Sequence, residues 1–151
     1  MDEYSPRALR ARELFLGGYN CSQSVFAAFA EDIGMDEGLA LRVASALGGG
    51  IAGTRQTCGA LSGMLLALGA LRGSAQAPDQ PTKKALYDSG RALMERFGQA
   101  YGAANCGELL KRNGILPQPD PAIRDAAYYR KRLCATYIEG AVRLLEDALA
   151  L

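Results

Sequence analysis

Cys58-Gly59-Ala60-Leu61-Ser62-Gly63-Met64-Leu65-Leu66-Ala67-Leu68-Gly69-Ala70-Leu71-Arg72 is the stretch on which the fold turns. From Ala60 to Leu71 it runs for about twelve residues without a charge, too short for the roughly 20 residues a bilayer-spanning helix needs. A helix that is apolar on nearly every face belongs at the centre of a bundle. No membrane insertion is expected.

Outward on the N-terminal side lies Gly48-Gly49-Gly50-Ile51-Ala52-Gly53-Thr54-Arg55-Gln56. Its clustered glycines permit positive φ angles and close backbone approach. With no GxxxxGK(S/T) pattern and no preceding strand, a tight turn is expected rather than a phosphate loop. Further out, Ser5-Pro6 offers a cap and a proline at the first helical position, and Leu9, Leu14, Phe15 and Leu16 form a stripe ended by Gly17-Gly18. Asn20 starts a second helix with Val25, Phe26 and Phe29 inward, closing near Gly34. Asp36 opens a third, with Leu39, Val43 and Leu47 at four-residue spacing.

On the C-terminal side, residues 73–81 read as a polar loop, followed by an amphipathic helix to about Tyr101 that buries Leu86, Leu93 and Phe97. Asn105 to Asn113 is a short helix stopped by Gly114, and Leu116-Pro117-Gln118-Pro119 is a connector. Asp120-Pro121 then predicts a final helix of about 28 residues. Its stripe holds Ile123, Ala127, Leu133, Cys134, Tyr137, Ile138, Ala141, Leu144 and Leu145. No segment alternates with period two. The expected fold is all-α: one helical domain over residues 1–151, a bundle of six or seven helices around the central apolar one.

The 151 residues suit one domain with a sizeable core. Net charge is +1, and the longest basic run, Arg130-Lys131-Arg132, reads as a solvated helix face, so no nucleic-acid partner is expected. Met1-Asp2-Glu3-Tyr4-Ser5-Pro6 lacks the basic and apolar regions of a secretory leader. A cytoplasmic protein is expected, in which cysteines are more often reactive or metal-bound than structural disulfides. The chain has no histidine, which removes Ser-His-Asp and Cys-His catalysis, Cys2His2 zinc and histidine-ligated iron.

Four cysteines remain: Cys21, Cys58, Cys106 and Cys134. They contain no CxxC pair, so zinc ribbons, thioredoxin-like motifs and ferredoxin-type loops are unsupported. Their local contexts say more. Asn20 precedes Cys21 with Gln23 three positions on, and Asn105 precedes Cys106 with Glu108 three positions on. Both resemble capping boxes with the cysteine at the first helical position. Thr57 precedes Cys58 in the same manner. Unpaired amides and the helix dipole at such positions favour the thiolate, the species that attacks disulfides or binds metals. Arg55 stands three residues before Cys58 and would add positive potential. Cys134, mid-stripe in the final helix, reads equally as a small core residue. If the three helix starts converge on it, the four sulfurs form one pocket.

Cys58-Gly59-Ala60-Leu61-Ser62-Gly63 reads CGAxxG, with Gly-Tyr-Asn-Cys-Ser-Gln upstream (18–23) and two cysteines downstream. In this the chain resembles the redox-active family named for its motif, C_GCAxxG_C_C. The family name writes the motif as GCAxxG, and Thr57 holds the position before Cys58. The resemblance spans most of the chain and implies redox activity through Cys21, Cys58, Cys106 and Cys134, with Gly59 and Gly63 as motif glycines; it implies no substrate.

Three functions compete on this reading. The first is thiol–disulfide redox chemistry, with Cys58 or Cys21 attacking, a second cysteine resolving, and a redox protein or small thiol as partner. The second is a module binding zinc, another soft metal or an iron–sulfur cluster through the four cysteines. The third is a structural bundle with incidental cysteines. Nothing in the sequence specifies an oligomeric state.

Overall fold

A computed structural model describes residues 5–151; Met1 to Tyr4, part of the opening read above for a leader, lie outside the described residues. Among the described residues nine α-helices follow in chain order: α1 Pro6–Leu16, α2 Cys21–Ala27, α3 Ala30–Ile33, α4 Glu37–Val43, α5 Gly59–Arg72, α6 Gln80–Tyr101, α7 Cys106–Arg112, α8 Ala126–Lys131 and α9 Cys134–Leu149. A 3-10 turn, Ser45–Leu47, follows α4. Among the described residues there is no strand, only an isolated antiparallel bridge between Thr57 and Asn105. The all-α expectation holds. Among the described residues no helix is long and apolar enough to cross a membrane.

The expected six or seven helices become nine because two of them break. The helix expected from Asn20 divides into α2 and α3 at Ala28 and the fully buried Phe29. The 28-residue terminal helix does not form as such. Asp120-Pro121 caps nothing; instead Asp125 accepts from the Tyr128 amide at 2.8 Å to start α8, and the chain leaves the helix at Arg132 before α9 begins. Residues 115–124 carry no helix and form a strap, pinned where Arg124 donates to the carbonyls of Phe15 and Tyr19 at 2.7 and 2.9 Å. These two charged hydrogen bonds hold backbone that a helix would have drawn away from α1. Ile123, placed on the inward stripe by its spacing, is 84% exposed as a result.

Local signals start most helices. Ser5 accepts from the Ala8 amide, with Pro6 at the first helical position; Asp36 accepts from Leu39 and Asp79 from Thr82. At α2 the capping box is complete, Asn20 accepting from the Gln23 amide while Gln23 accepts from the Asn20 amide. At α7 the Asn105 half forms, its side chain accepting from Glu108 at 2.9 Å.

The expected central helix is α5. It buries Ala60, Leu61, Met64, Ala67 and Leu68 and packs against α2, α3, α6 and α9, while α1 closes over α2 and α9. One contiguous core runs from Ala8 on α1 to Leu145 on α9 and includes Phe15, Phe29 and Phe97. Each such aromatic stabilises the fold by roughly 1.5–3 kcal/mol through burial. On α4 the expected stripe is turned outward: Leu39 and Val43 are exposed, and Ala40 and Ala44 face the core. Small residues suit that face because α4 packs against the short helix α2.

The motif glycines explain how closely α5 meets α2. A Cβ on Gly63 would lie 2.6 Å from the Ser22 carbonyl oxygen and 3.0 Å from the Val25 Cβ, and one on Gly59 would lie 3.0 Å from the Cys21 Cβ. Only hydrogen fits at such separations. The CGAxxG spacing therefore presses the start of α5, with Cys58, onto the start of α2, with Cys21.

Candidate functional site: a cavity lined by four cysteines

Three connections deliver the cysteines. Cys58 caps α5 and Cys106 opens α7; the Thr57–Asn105 bridge ties these two starts together, with the Cys58 amide donating to the Ala104 carbonyl at 2.8 Å and the Cys106 amide donating to the Gln56 carbonyl. Cys21 opens α2 and is pressed against Gly59. Cys134 opens α9 immediately after the break at Leu133. All four, none in a disulfide, line one cavity of about 430 Å³. The expectation that the cysteines gather is met, with one difference: Cys134 is not mid-helix but at a helix start, like the other three.

The glycine-rich turn forms part of the cavity wall. Gly49, Gly50, Ile51, Ala52 and Gly53 all have positive φ, and so does Arg55. Amides of Arg55 and Gln56 fold back onto the carbonyls of Gly49 and Gly50 at 2.9 and 2.8 Å. A Cβ on Gly50 would lie 2.7 Å from the Cys106 Cβ, so the turn can pass behind Cys106 only as glycine. Three non-glycine residues in the left-handed region cost of order 1 kcal/mol or more each. The turn aims Arg55 inward, its Nη1 standing 3.7 Å from the Cys106 Sγ and its Nε donating to the Gln118 carbonyl of the strap at 2.7 Å.

Electrostatics separates the four thiols. The Cys21 thiol donates a hydrogen bond to the Cys134 sulfur; that bond, with Arg132, Arg124 and Arg55 nearby, holds Cys134 below the usual thiol value of 9.0 against the cost of its burial. Cys21, keeping the shared proton, is pushed well above that value by the same bond and by its own desolvation. Burial pushes Cys58 up to about 12, although the Ala60 and Leu61 amides pull the other way. The sequence led us to expect lowered values at Cys58 and Cys21. Proximity to a helix start is worth about 0.3–1 kcal/mol, less than one pKa unit, whereas full burial shifts a group by up to 3–5 units. At Cys58 burial wins. At Cys134 the neighbouring thiol and three guanidiniums win.

Sequence reasoning missed Arg124, Arg132 and Tyr128, which also line the cavity. Arg124 stacks over Phe15 and Tyr128, at 4.7 and 5.3 Å from the ring centres, and Arg132 lies 4.5 Å over Tyr128. The Arg130–Arg132 run read as a solvated face because no capping side chain marks the break before Cys134: Leu133 makes no side-chain cap. The four thiols are the ligand type that zinc or an iron–sulfur cluster takes. Among the described residues, however, no three Cys, Asp or Glu side chains stand close enough together to hold a metal ion as arranged.

The family model described as "Putative redox-active protein (C_GCAxxG_C_C)" matches residues 19–148. The chain belongs to this family. The matched region contains all four cysteines, the glycine-rich turn, the strap and both motif glycines. In this C_GCAxxG_C_C protein the named cysteines are the residues that meet in the cavity, and the motif glycines bring two of them together. Comparison with curated proteins and with solved structures gives no match.

Proposed function

We propose that this C_GCAxxG_C_C protein is a dithiol–disulfide redox protein whose working pair is Cys134 and Cys21. What supports this reading is that both thiols line one cavity, where their interaction pulls Cys134 below and pushes Cys21 above the ordinary thiol value, which favours Cys134 as the attacker and Cys21 as its proton donor. The Cys134 thiolate attacks one sulfur of an incoming disulfide RSSR. The Cys134–SR bond forms, the S–S bond of RSSR breaks, and RS⁻ leaves with the electron pair. With Cys134 consumed, the bond that held the Cys21 proton is gone, and that proton passes to the departing RS⁻. The Cys21 thiolate then attacks Cys134, closing an intramolecular disulfide and releasing the second RS⁻, which takes a proton from water. RSSR is reduced to two thiols and the protein dithiol is oxidised. An external dithiol returns it to the starting state.

Cys58, buried and held protonated, is a poor attacker in this scheme and stands beside the pair with Cys106. The test is thiol titration and peptide mapping after one equivalent of a small disulfide. Two thiols should disappear and one linkage, Cys21 to Cys134, should appear. Cys58→Ser and Cys106→Ser should retain it, while Cys21→Ser should stop at the mixed disulfide on Cys134. A linkage confined to Cys58 and Cys106 would overturn the assignment.

A further inference from the structure

The cavity wall carries positive charge with no carboxylate set against it. Arg55, Arg124 and Arg132 line it, and no Asp or Glu does. Elsewhere Arg7, Arg10, Arg12, Arg91 and Arg96 each stand within 4 Å of a carboxylate. Among the described residues none of the three cavity arginines has such a partner. Arg124 spends its donors on the Phe15 and Tyr19 carbonyls and Arg55 on the strap and Cys106. Arg132 is half-buried and stacked on Tyr128, and its guanidinium donates to no acceptor among the described residues. A guanidinium fork fixed in orientation by an aromatic ring, with its donors unused, matches the two oxygens of a carboxylate. The starts of α5 and α9 add their positive ends to the same space.

Resting on the redox reading above, we infer that the cavity selects small disulfides that carry carboxylates: Arg132 takes a carboxylate of the substrate and so places its S–S bond against Cys134. A volume of about 430 Å³ is that of a small-molecule site. Uncompensated positive charge in such a space raises the local concentration of anionic over neutral substrates, and the effect weakens with salt.

The experiment compares three alkyl disulfides of different charge: oxidised glutathione (anionic), 2-hydroxyethyl disulfide (neutral) and cystamine (cationic). For each, the rate of Cys21–Cys134 oxidation is measured by stopped-flow quench and mass spectrometry. Each rate is divided by that probe's rate with 2-mercaptoethanol, to remove intrinsic reactivity. At low ionic strength the normalised rate for oxidised glutathione should exceed that for the neutral probe by about tenfold or more, with cystamine slowest. The preference should shrink toward unity as salt is raised. Arg132→Gln should cut the anionic-to-neutral ratio, which cancels any change in Cys134 basicity, and Arg132→Lys should retain most of it. Equal normalised rates for all three probes in the unmodified protein, with the pair still oxidised by the neutral one, would overturn charge selection and leave the redox reading standing. Failure of all three to oxidise the pair would defeat both. A ratio untouched by Arg132→Gln, or lost as fully in Arg132→Lys, would remove Arg132 as the carboxylate-binding charge.

Discussion

Replacing Gly63 by alanine tests the packing that sets Cys21 beside Cys134. The new Cβ would lie 2.6 Å from the Ser22 carbonyl oxygen, 3.0 Å from the Val25 Cβ and 3.2 Å from the Phe26 amide nitrogen. Non-bonded heavy atoms settle at about 3.5 Å, so α2 has to retreat by several tenths of an ångström. Two of the three obstacles are backbone, which no rotamer change can move aside. Overpacking of this kind costs about 1–3 kcal/mol, against a helix-propensity gain of about 1 kcal/mol for alanine over glycine. Gly69 on the same helix is the control, because a Cβ there meets nothing within 4 Å and alanine should give the propensity gain alone. The two variants should therefore differ by about 1–3 kcal/mol, with Gly63→Ala the less stable. Urea denaturation followed by far-UV circular dichroism resolves this, since m-values of about 1–3 kcal/mol per molar place the midpoints about 1 M apart. Retreat of α2 also draws Cys21 from Cys134, so the pH at which Cys134 alkylates should rise in Gly63→Ala. Equal stability of the two variants, with an unchanged alkylation profile, would refute the view that the motif glycines press α2 onto α5.

The remaining expectations are simpler. With limiting iodoacetamide near pH 7.5, peptide mapping should find Cys134 labelled well ahead of Cys58, because Cys134 lies below the ordinary thiol value and Cys58 near 12; labelling of Cys58 before Cys134 would contradict the burial argument. Stability of the reduced protein should fall as pH rises from 9 toward 12. Cys58 and Cys21 stay protonated when folded and ionise at about 9 when unfolded, so above pH 9 the folded state binds more protons and the decline reaches about 1.4 kcal/mol per pH unit for each thiol. Cys58→Ala should remove its share of that slope in denaturation curves taken across the range. Ile51→Gly should stabilise the protein by about 1 kcal/mol, since a β-branched residue at φ +73° is strained, and a urea midpoint that falls instead would show that the Ile51 side chain matters more than its backbone.

The all-α class, the central helix and most helix starts were written in local sequence, because caps and apolar periodicity act within a few residues and no distant partner is needed to express them. Asn20-Cys21 and Asn105-Cys106 were legible as cysteines at helix starts for that reason, whereas Thr57 does not cap α5 and Cys58 itself stands at the cap position without a side-chain hydrogen bond. The chemistry of those cysteines was not legible. A helix terminus offers a thiol less than one pKa unit, while burial and the neighbouring sulfur offer more, and both depend on what the rest of the chain brings into contact. The clearest case is Cys134. Its neighbours carry an unbroken helical stripe, so the local signal runs straight through it. Tertiary contacts override it: Arg124 hydrogen-bonds the strap to the carbonyls of Phe15 and Tyr19, which delays the helix to α8, and the chain leaves α8 at the extended Arg132. The chain then restarts as a helix at Cys134, where Cys21 and the guanidiniums of Arg132, Arg124 and Arg55 hold its thiol below the usual value.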